Sequence, residues 1–283
     1  MSQFVKTNGI QLNVEQGGPE NGPLLIFLHG FPEFSYAWKA QVPYFGKAGY
    51  RVWAPDQRGS NLSDKPAGLA AYNADALAAD IIGLIDAAGE DQAYLVGHDW
   101  GAFVSWWIAA KHPERIKKMV ILNVPHGKVM KRHLRENKQQ RKKSRYMFFF
   151  QLPWLPEWFA RRKNWRQSTR ALTETSLPGT FSEEDLDAYR KAWSQPQAYK
   201  SMLNWYRAAF RRAPSNPRSS QITVPTLIIW GKKDVFLGSA MAEESLALCS
   251  EGRLVMIDEA THWLHHEMPE KINPLISDFF KEE

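Results

Sequence analysis

The chain reads as an α/β protein: a mostly parallel sheet with helices on both faces, interrupted by an inserted helical segment. Three observations predict it. Short continuous apolar runs, the pattern of strands buried on both faces, alternate with longer helix-like stretches near both ends of the chain. In residues 125–212 that alternation stops, and helical stretches rich in Trp, Tyr and Arg are punctuated by Pro153, Pro156, Pro178 and Pro196, with no convincing strand. Finally, an apolar run at 93–96 passes through Gly97-His98-Asp99-Trp100-Gly101 into a stretch with the composition of a buried helix, 102–111. Glycines on both sides of a central residue suit a sharp strand-to-helix turn, which leaves Asp99 held out over the end of the sheet.

Taken in order, residues 11–16 alternate apolar with polar side chains, as a half-exposed edge strand would. The run 24–28, after Pro23, has the look of a central strand and delivers His29-Gly30-Phe31-Pro32-Glu33 to the sheet's carboxyl edge. Residues 36–47 suit a helix, 50–54 a strand, and Asp56-Gln57-Arg58-Gly59 a loop. Helical periodicity covers 70–88 and stops at Gly89. Beyond the Asp99 turn and its helix, 119–123 is a further strand ending before Pro125. Residues 213–225 make a linker of Pro, Ser and Asn; strands resume at 226–230 and 253–257, and a final helix is expected over 269–280. The predicted organisation is a core of residues 1–124 and 218–283, with a helical cap of residues 125–217, linker included, inserted into it.

A chain of 283 residues with 44% hydrophobic content can bury a sizeable core. The lone Cys249 cannot form an internal disulfide and is expected to be a small buried side chain. No apolar run reaches the length of a membrane span and MSQFVKTNGI lacks a signal pattern, so a cytoplasmic setting is the default expectation. The net charge of +6 hides an asymmetry: residues 125–212 hold 20 Lys or Arg against 7 Asp or Glu, most densely over 128–145. No groove-reading motif or interleaved base-stacking aromatics accompany that cluster, so a solvated helix face is expected there rather than a nucleic-acid site.

In open parallel sheets ligands bind outside the carboxyl ends of the strands. The side chains found there are His29 to Glu33, Asp99 with Trp100, Asp234 after Trp230-Gly231-Lys232-Lys233, and His262. Their order, Asp99, Asp234, His262, matches nucleophile, acid and histidine in the α/β-hydrolase arrangement. A serine at the centre would need a base to activate it. An aspartate is already ionised, which frees the histidine for another task.

On His29-Gly30-Phe31-Pro32, Gly97-His98-Asp99-Trp100-Gly101, Asp234 in WGKKD and Thr261-His262-Trp263, the chain resembles the epoxide hydrolases of the α/β-hydrolase superfamily over nearly its full length. Tyr146 in RYMFFFQ and Tyr206 in LNWYRAAF extend the resemblance into the cap. It implies that the Asp99 carboxylate opens an epoxide to give an alkyl ester on the enzyme. Tyr146 and Tyr206, pointing from the cap, would assist: a phenol with an unperturbed pKa of about 10 can give a proton to the expelled alkoxide yet stays protonated at neutral pH. His262, oriented by Asp234, would then activate a water to hydrolyse the ester. The backbone N–H groups of Phe31 and Trp100 would form the oxyanion hole; Pro32, which has no N–H, Phe150 and Trp205 are expected beside the substrate, and Glu33 to help position the water. The expected reactants are a small epoxide and water, with no cofactor, metal or nucleic acid, and the chain is expected to be a monomer or homodimer.

Three other readings are open to the same residues. His262, His265, His266 and Glu267 could suggest a metal, but the HExxH spacing is absent. A dehalogenase shares the Asp nucleophile, but halide leaves without a proton and has no use for two phenols. A non-catalytic binding protein on this fold is expected to have lost at least one of Asp99, Asp234, His262 or the tyrosines, and all are present.

Overall fold

The structure is a computed structural model that describes residues 1–212 and 219–282. Its strands are β1 (Ser2–Thr7), β2 (Ile10–Gly17), β3 (Leu24–Leu28), β4 (Arg51–Pro55), β5 (Ala93–His98), β6 (Ile116–Leu122), β7 (Thr226–Gly231) and β8 (Gly252–Ile257). They form one 8-stranded sheet in the order β1-β2-β4-β3-β5-β6-β7-β8. The β1–β2 and β2–β4 pairings are antiparallel and the rest parallel. The architecture is the α/β-hydrolase fold.

Helices α1 (Gln41–Lys47), α2 (Ala74–Ala87) and α3 (Trp100–Lys111) alternate with the early strands; α10 (Ala240–Leu246), α11 (Leu264–Glu267) and α12 (Pro269–Lys281) serve the late ones. Between β6 and β7 lie α4 (Gly127–Glu136), α5 (Lys138–Lys143), α6 (Arg145–Phe149), α7 (Leu155–Thr173), α8 (Glu183–Trp193) and α9 (Ala198–Arg211). Side chains alternate across a strand, and β3 shows the result. Leu24, Ile26 and Leu28 join the cluster under α2 and α3, while Leu25 and Phe27 join the one under α1 and α12. A third cluster, around Trp165, Tyr189, Trp193, Tyr199 and Leu203, is the interior of the inserted helices, and Trp263 and Phe31 of the sheet layer pack against it.

Three local expectations are corrected. Strand β2 pairs on both sides, so the edge belongs to β1, whose SQFVKT is exposed for most of its length and carries little apolar signal. The single helix expected over 36–47 is a 3₁₀ turn, Ser35–Trp38, followed by α1. The helix expected over 70–88 is likewise divided, because the Asn73 side chain accepts from Ala76 N–H at 2.9 Å and caps α2 there. Part of the linker expected at 213–225, and the boundary expected at 217/218, lie outside the described residues. No described helix is long and apolar enough to cross a membrane. Cys249 is half-buried, and burial pushes its thiol up to about 11, which makes it a poor nucleophile.

The Asp99 turn depends on close approach between α3 and the sheet. A Cβ on Gly101 would collide with the Leu28 carbonyl in β3, and one on Gly97 with the backbone of Ala102. Neither obstacle is a side chain that can swing aside. Gly101→Ala is therefore expected to destabilise the fold by about 1–3 kcal/mol; a urea midpoint equal to that of the parent would contradict this packing.

Candidate active site

Asp99 is the residue before α3, with φ 48° and ψ −120°. A non-glycine residue in this region is strained by about 1–3 kcal/mol and persists only where its surroundings enforce it. Gly30 makes room for it, since a Cβ there would collide with the Asp99 side chain. The Phe31 N–H donates to Asp99 Oδ1 at 2.8 Å. Trp100 opens α3, so its N–H has no partner within the helix and is left at the same end of the sheet.

His262 stands on the other side of the carboxylate, its Nε2 3.6 Å from Asp99 Oδ2, an ion-pair contact too long for a direct hydrogen bond. Its Nδ1 is 2.7 Å from Asp234 Oδ2, so the N–H that faces Asp234 is Nδ1–H. Asp234 is itself fixed: Oδ1 accepts from Phe236 N–H at 2.7 Å and Leu237 N–H at 2.8 Å, and Oδ2 from Asn123 Nδ2 at 3.1 Å. Burial works against protonation of His262, but the Asp234 and Asp99 carboxylates outweigh it and raise its pKa to about 10. Burial likewise opposes ionisation of Asp99, and His262, His98 and the Phe31 N–H reverse that, leaving its pKa lowered. The resting pair is carboxylate and imidazolium.

A cavity of about 270 Å³ opens above Asp99 and His262. Its walls include Phe31, Pro32, Tyr146, Phe150 and Tyr206, all anticipated from sequence, together with Tyr199, Phe236 and Gln167, which were not. The two phenols meet edge to face, ring centroids 6.0 Å apart. Burial and the Asp99 charge push both phenols upward from their usual range. Both are therefore neutral O–H donors at any physiological pH.

Trp100 and Trp205 do not line this cavity. They border a much smaller space, of about 10 Å³, with His29, Gly30, Phe31, Ser60 and Met202. The Trp205 Nε1–H donates to Arg58 O at 3.0 Å, and the Trp100 ring lies against Tyr206, centroids 4.9 Å apart, so both shape the cavity from behind.

Glu33 is also one layer down. It is fully buried, accepting from the Tyr189 hydroxyl at 2.9 Å, and lies 2.7 Å from His266 Nε2 and 3.1 Å from His98 Nδ1. Burial opposes its ionisation, yet His266 and His98 hold the carboxyl well below its usual range. His98 Nε2 in turn donates to the His262 carbonyl at 2.8 Å, so Glu33 braces the loop that carries His262 and does not face the cavity. His29 is held as a neutral imidazole, Nδ1 2.9 Å from Gly30 O and Nε2 accepting from Gln57 N–H at 3.0 Å.

The four residues that suggested a metal do not assemble. His262 serves Asp99 and Asp234, while Glu267 accepts from Leu177 N–H and Thr261 N–H. Among the described residues, the group whose ligand atoms do converge, within 4.8 Å, is Glu33, His265 and His266. The short Glu33–His266 contact is of hydrogen-bond length.

Asn123, at φ 56°, was missed by sequence reasoning. It donates to Asp234 and to the Thr261 carbonyl at 2.8 Å and accepts from Gly231 N–H at 2.6 Å, tying together the loops that carry Asp234 and His262. A signal existed: Asn123 directly follows β6, the position at which the other candidates were found.

Comparison with known proteins follows the same lines. The chain matches the alpha/beta hydrolase fold family over residues 23–269. It is 46% identical to the AB hydrolase superfamily protein YfhM of Bacillus subtilis, covering 99% of this chain and 97% of that one. It is 37% identical to Epoxide hydrolase 2 of Caenorhabditis elegans, covering 99% and 80%. Among solved structures it superposes on the Bacillus megaterium epoxide hydrolase bound to an inhibitor with a TM-score of 0.89 and 32% identity, over 99% of this chain and 100% of that one.

Proposed function

The chain belongs to the alpha/beta hydrolases and, within them, to the epoxide hydrolases, and from that premise we propose a two-step reaction through a covalent ester on Asp99. The observation that carries the proposal is one cavity holding an ionised carboxylate, two phenols kept protonated by burial, and a histidine locked onto a second carboxylate.

In the first step Asp99 Oδ2 attacks an epoxide carbon, the ring C–O bond breaks, and the departing oxygen takes a proton from Tyr206 or Tyr146. Oδ1 already accepts from the Phe31 N–H, so it is the oxygen on which charge gathers in the second step. There a water attacks the Asp99 carboxyl carbon and His262 takes its proton. Before this attack the imidazolium returns its proton to the tyrosinate, so His262 enters the step neutral. Collapse of the tetrahedral intermediate then passes the second water proton to the departing oxygen, releases a vicinal diol, and restores the Asp99 carboxylate beside the re-formed imidazolium.

The raised pKa of His262 fits this order of events. While Asp99 is ionised, the imidazolium stabilises it and cannot act as a base. Once Asp99 is esterified that negative charge is gone, one of the two carboxylates raising the pKa is lost, and His262 becomes a base for the second step. We read residues 125–217 as a cap whose role is to bring Tyr146 and Tyr206 over the sheet. A dehalogenase would leave both phenols without a task; release of diol but no halide from a matched epoxide and haloalkane pair separates the two reactions.

Tyr206→Phe is expected to slow the single-turnover alkylation rate by about tenfold or more, and the double variant with Tyr146→Phe by about 10²–10⁴-fold, the usual range for losing general-acid assistance. An unchanged rate in the double variant would remove the phenols from the mechanism.

A further inference from the structure

On the outer side of the inserted helices, large apolar side chains stand in water. Trp154 is 70% and Trp158 51% exposed, with Phe148, Leu152, Phe159 and Phe210 exposed around them. They are not at a frayed end. The buried Arg207 donates to the carbonyls of Phe150 at 3.0 Å and Leu152 at 2.7 Å and pairs with Glu157 at 2.7 Å, which pins the loop before α7 and holds Leu152 and Trp154 outward. Phe210 packs on Phe148, centroids 5.7 Å apart, so the end of α9 joins the same face.

Cations accompany the face along the chain. Arg145, Arg161, Arg162, Lys163, Arg166 and Arg211 are exposed; the Arg162 guanidinium lies 4.6 Å from the Trp158 ring centroid, and Arg211 donates to the Gln151 carbonyl at 2.6 Å. Within residues 145–173 the only carboxylate is Glu157, already engaged by Arg207. Exposed Trp and Phe accompanied by Arg and Lys is the composition of surfaces that lie in the headgroup region of an anionic bilayer. The patch is also continuous with the cavity, because Phe159 is exposed on the outside and lines the cavity on the inside.

We propose that this face docks the protein peripherally on membranes containing anionic lipid, with Trp154 and Trp158 in the interface and the accompanying arginines on the headgroups. A second copy of the chain is the poorer occupant. A two-fold contact sets the same patch against itself, and that would bring two unneutralised sets of cations together. For a cavity that accepts apolar epoxides, the docked orientation would set its rim against the phase in which such substrates concentrate; the docking itself does not depend on that reaction.

The test is co-sedimentation of the full chain with vesicles of phosphatidylcholine alone or mixed with phosphatidylglycerol, at about 0.1 M and about 1 M salt. Binding is expected with phosphatidylglycerol only, weakened at high salt, and accompanied by a blue shift of tryptophan fluorescence. Trp154→Ser/Trp158→Ser and Arg161→Glu/Arg162→Glu are each expected to weaken binding about tenfold or more, with the melting temperature and the turnover of a small soluble epoxide unchanged. Arg135→Glu/Lys138→Glu, on the separate basic helices α4 and α5, is expected to have a much smaller effect. No phosphatidylglycerol-dependent binding, binding that the two patch variants leave intact, or loss through the α4/α5 variant instead would overturn the proposal. So would a dimer that the patch variants dissociate while vesicle binding persists, which would assign the face to a second copy.

Discussion

His262→Gln is expected to convert the enzyme into one that reacts once and stops. Glutamine keeps the site polar but cannot take a proton from water, so Asp99 is alkylated and the ester is not hydrolysed. Intact-protein mass spectrometry should find the protein heavier by one substrate, with steady-state turnover lower by about 10⁴-fold or more. Intact protein without an adduct, at a substrate concentration that saturates the parent, would mean that His262 is not the base of the second step. On the proposed route the same histidine sets the pH dependence. Alkylation would need ionised Asp99, whose pKa is lowered, so its rate should be flat across neutral pH and fall only in acid. Hydrolysis needs neutral His262, whose pKa drops from its resting value of about 10 once the Asp99 charge is gone, so its rate should rise with pH. Rapid-quench measurement of the two phases separates them; parallel pH profiles would contradict the assignment.

Asp99→Ala should abolish turnover without trapping anything, since no carboxylate remains to be alkylated. The expected loss is again about 10⁴-fold or more, and retained diol formation would remove the covalent route. A second, non-catalytic readout accompanies it. His262 should lose one of the charges that raise its pKa, so the imidazole titration followed by NMR should move down from about 10 while the Asp234 contact remains. The sign for stability follows. A histidine whose folded pKa lies above its unfolded one contributes stability in full below the unfolded value of about 6.5, and that contribution is lost as pH rises through the folded value. The variant should therefore lose part of this contribution over that window and be less sensitive to alkaline pH than the parent. An unshifted His262 titration would mean that Asp99 is not the charge that sustains it.

Much of the site was legible because strand ends and motif residues sit where the chain order dictates. The turn at Asp99 could be read from Gly97 and Gly101, whose missing side chains admit Ala102 and the Leu28 carbonyl. Asp234 and His262 could be read from their places after β7 and β8. The tyrosines were found only through the cap segments that carry the family likeness, since an isolated Tyr in an aromatic-rich stretch has no local signature. Glu33 shows the limit. One position after Pro32 it could face the cavity or the interior, and what turned it inward were Tyr189 of α8, His98 of β5 and His266 of α11, partners 156, 65 and 233 residues away. Trp205 went behind the cavity for a similar reason, its indole being taken by the Arg58 carbonyl.

The sequence by itself determined the alternation of strand and helix, the glycine-flanked turn, the chain order of Asp99, Asp234 and His262 after their strands, and the place of the helical insertion, because each of these is written in residues close together along the chain. Only the tertiary structure decided which side chains share the cavity, how far the Asp99 and Asp234 charges raise His262, and that Trp154 and Trp158 face water in the company of exposed cations. Burial and charge at a site are sums over neighbours contributed by distant segments, and those neighbours exist only once the chain has folded.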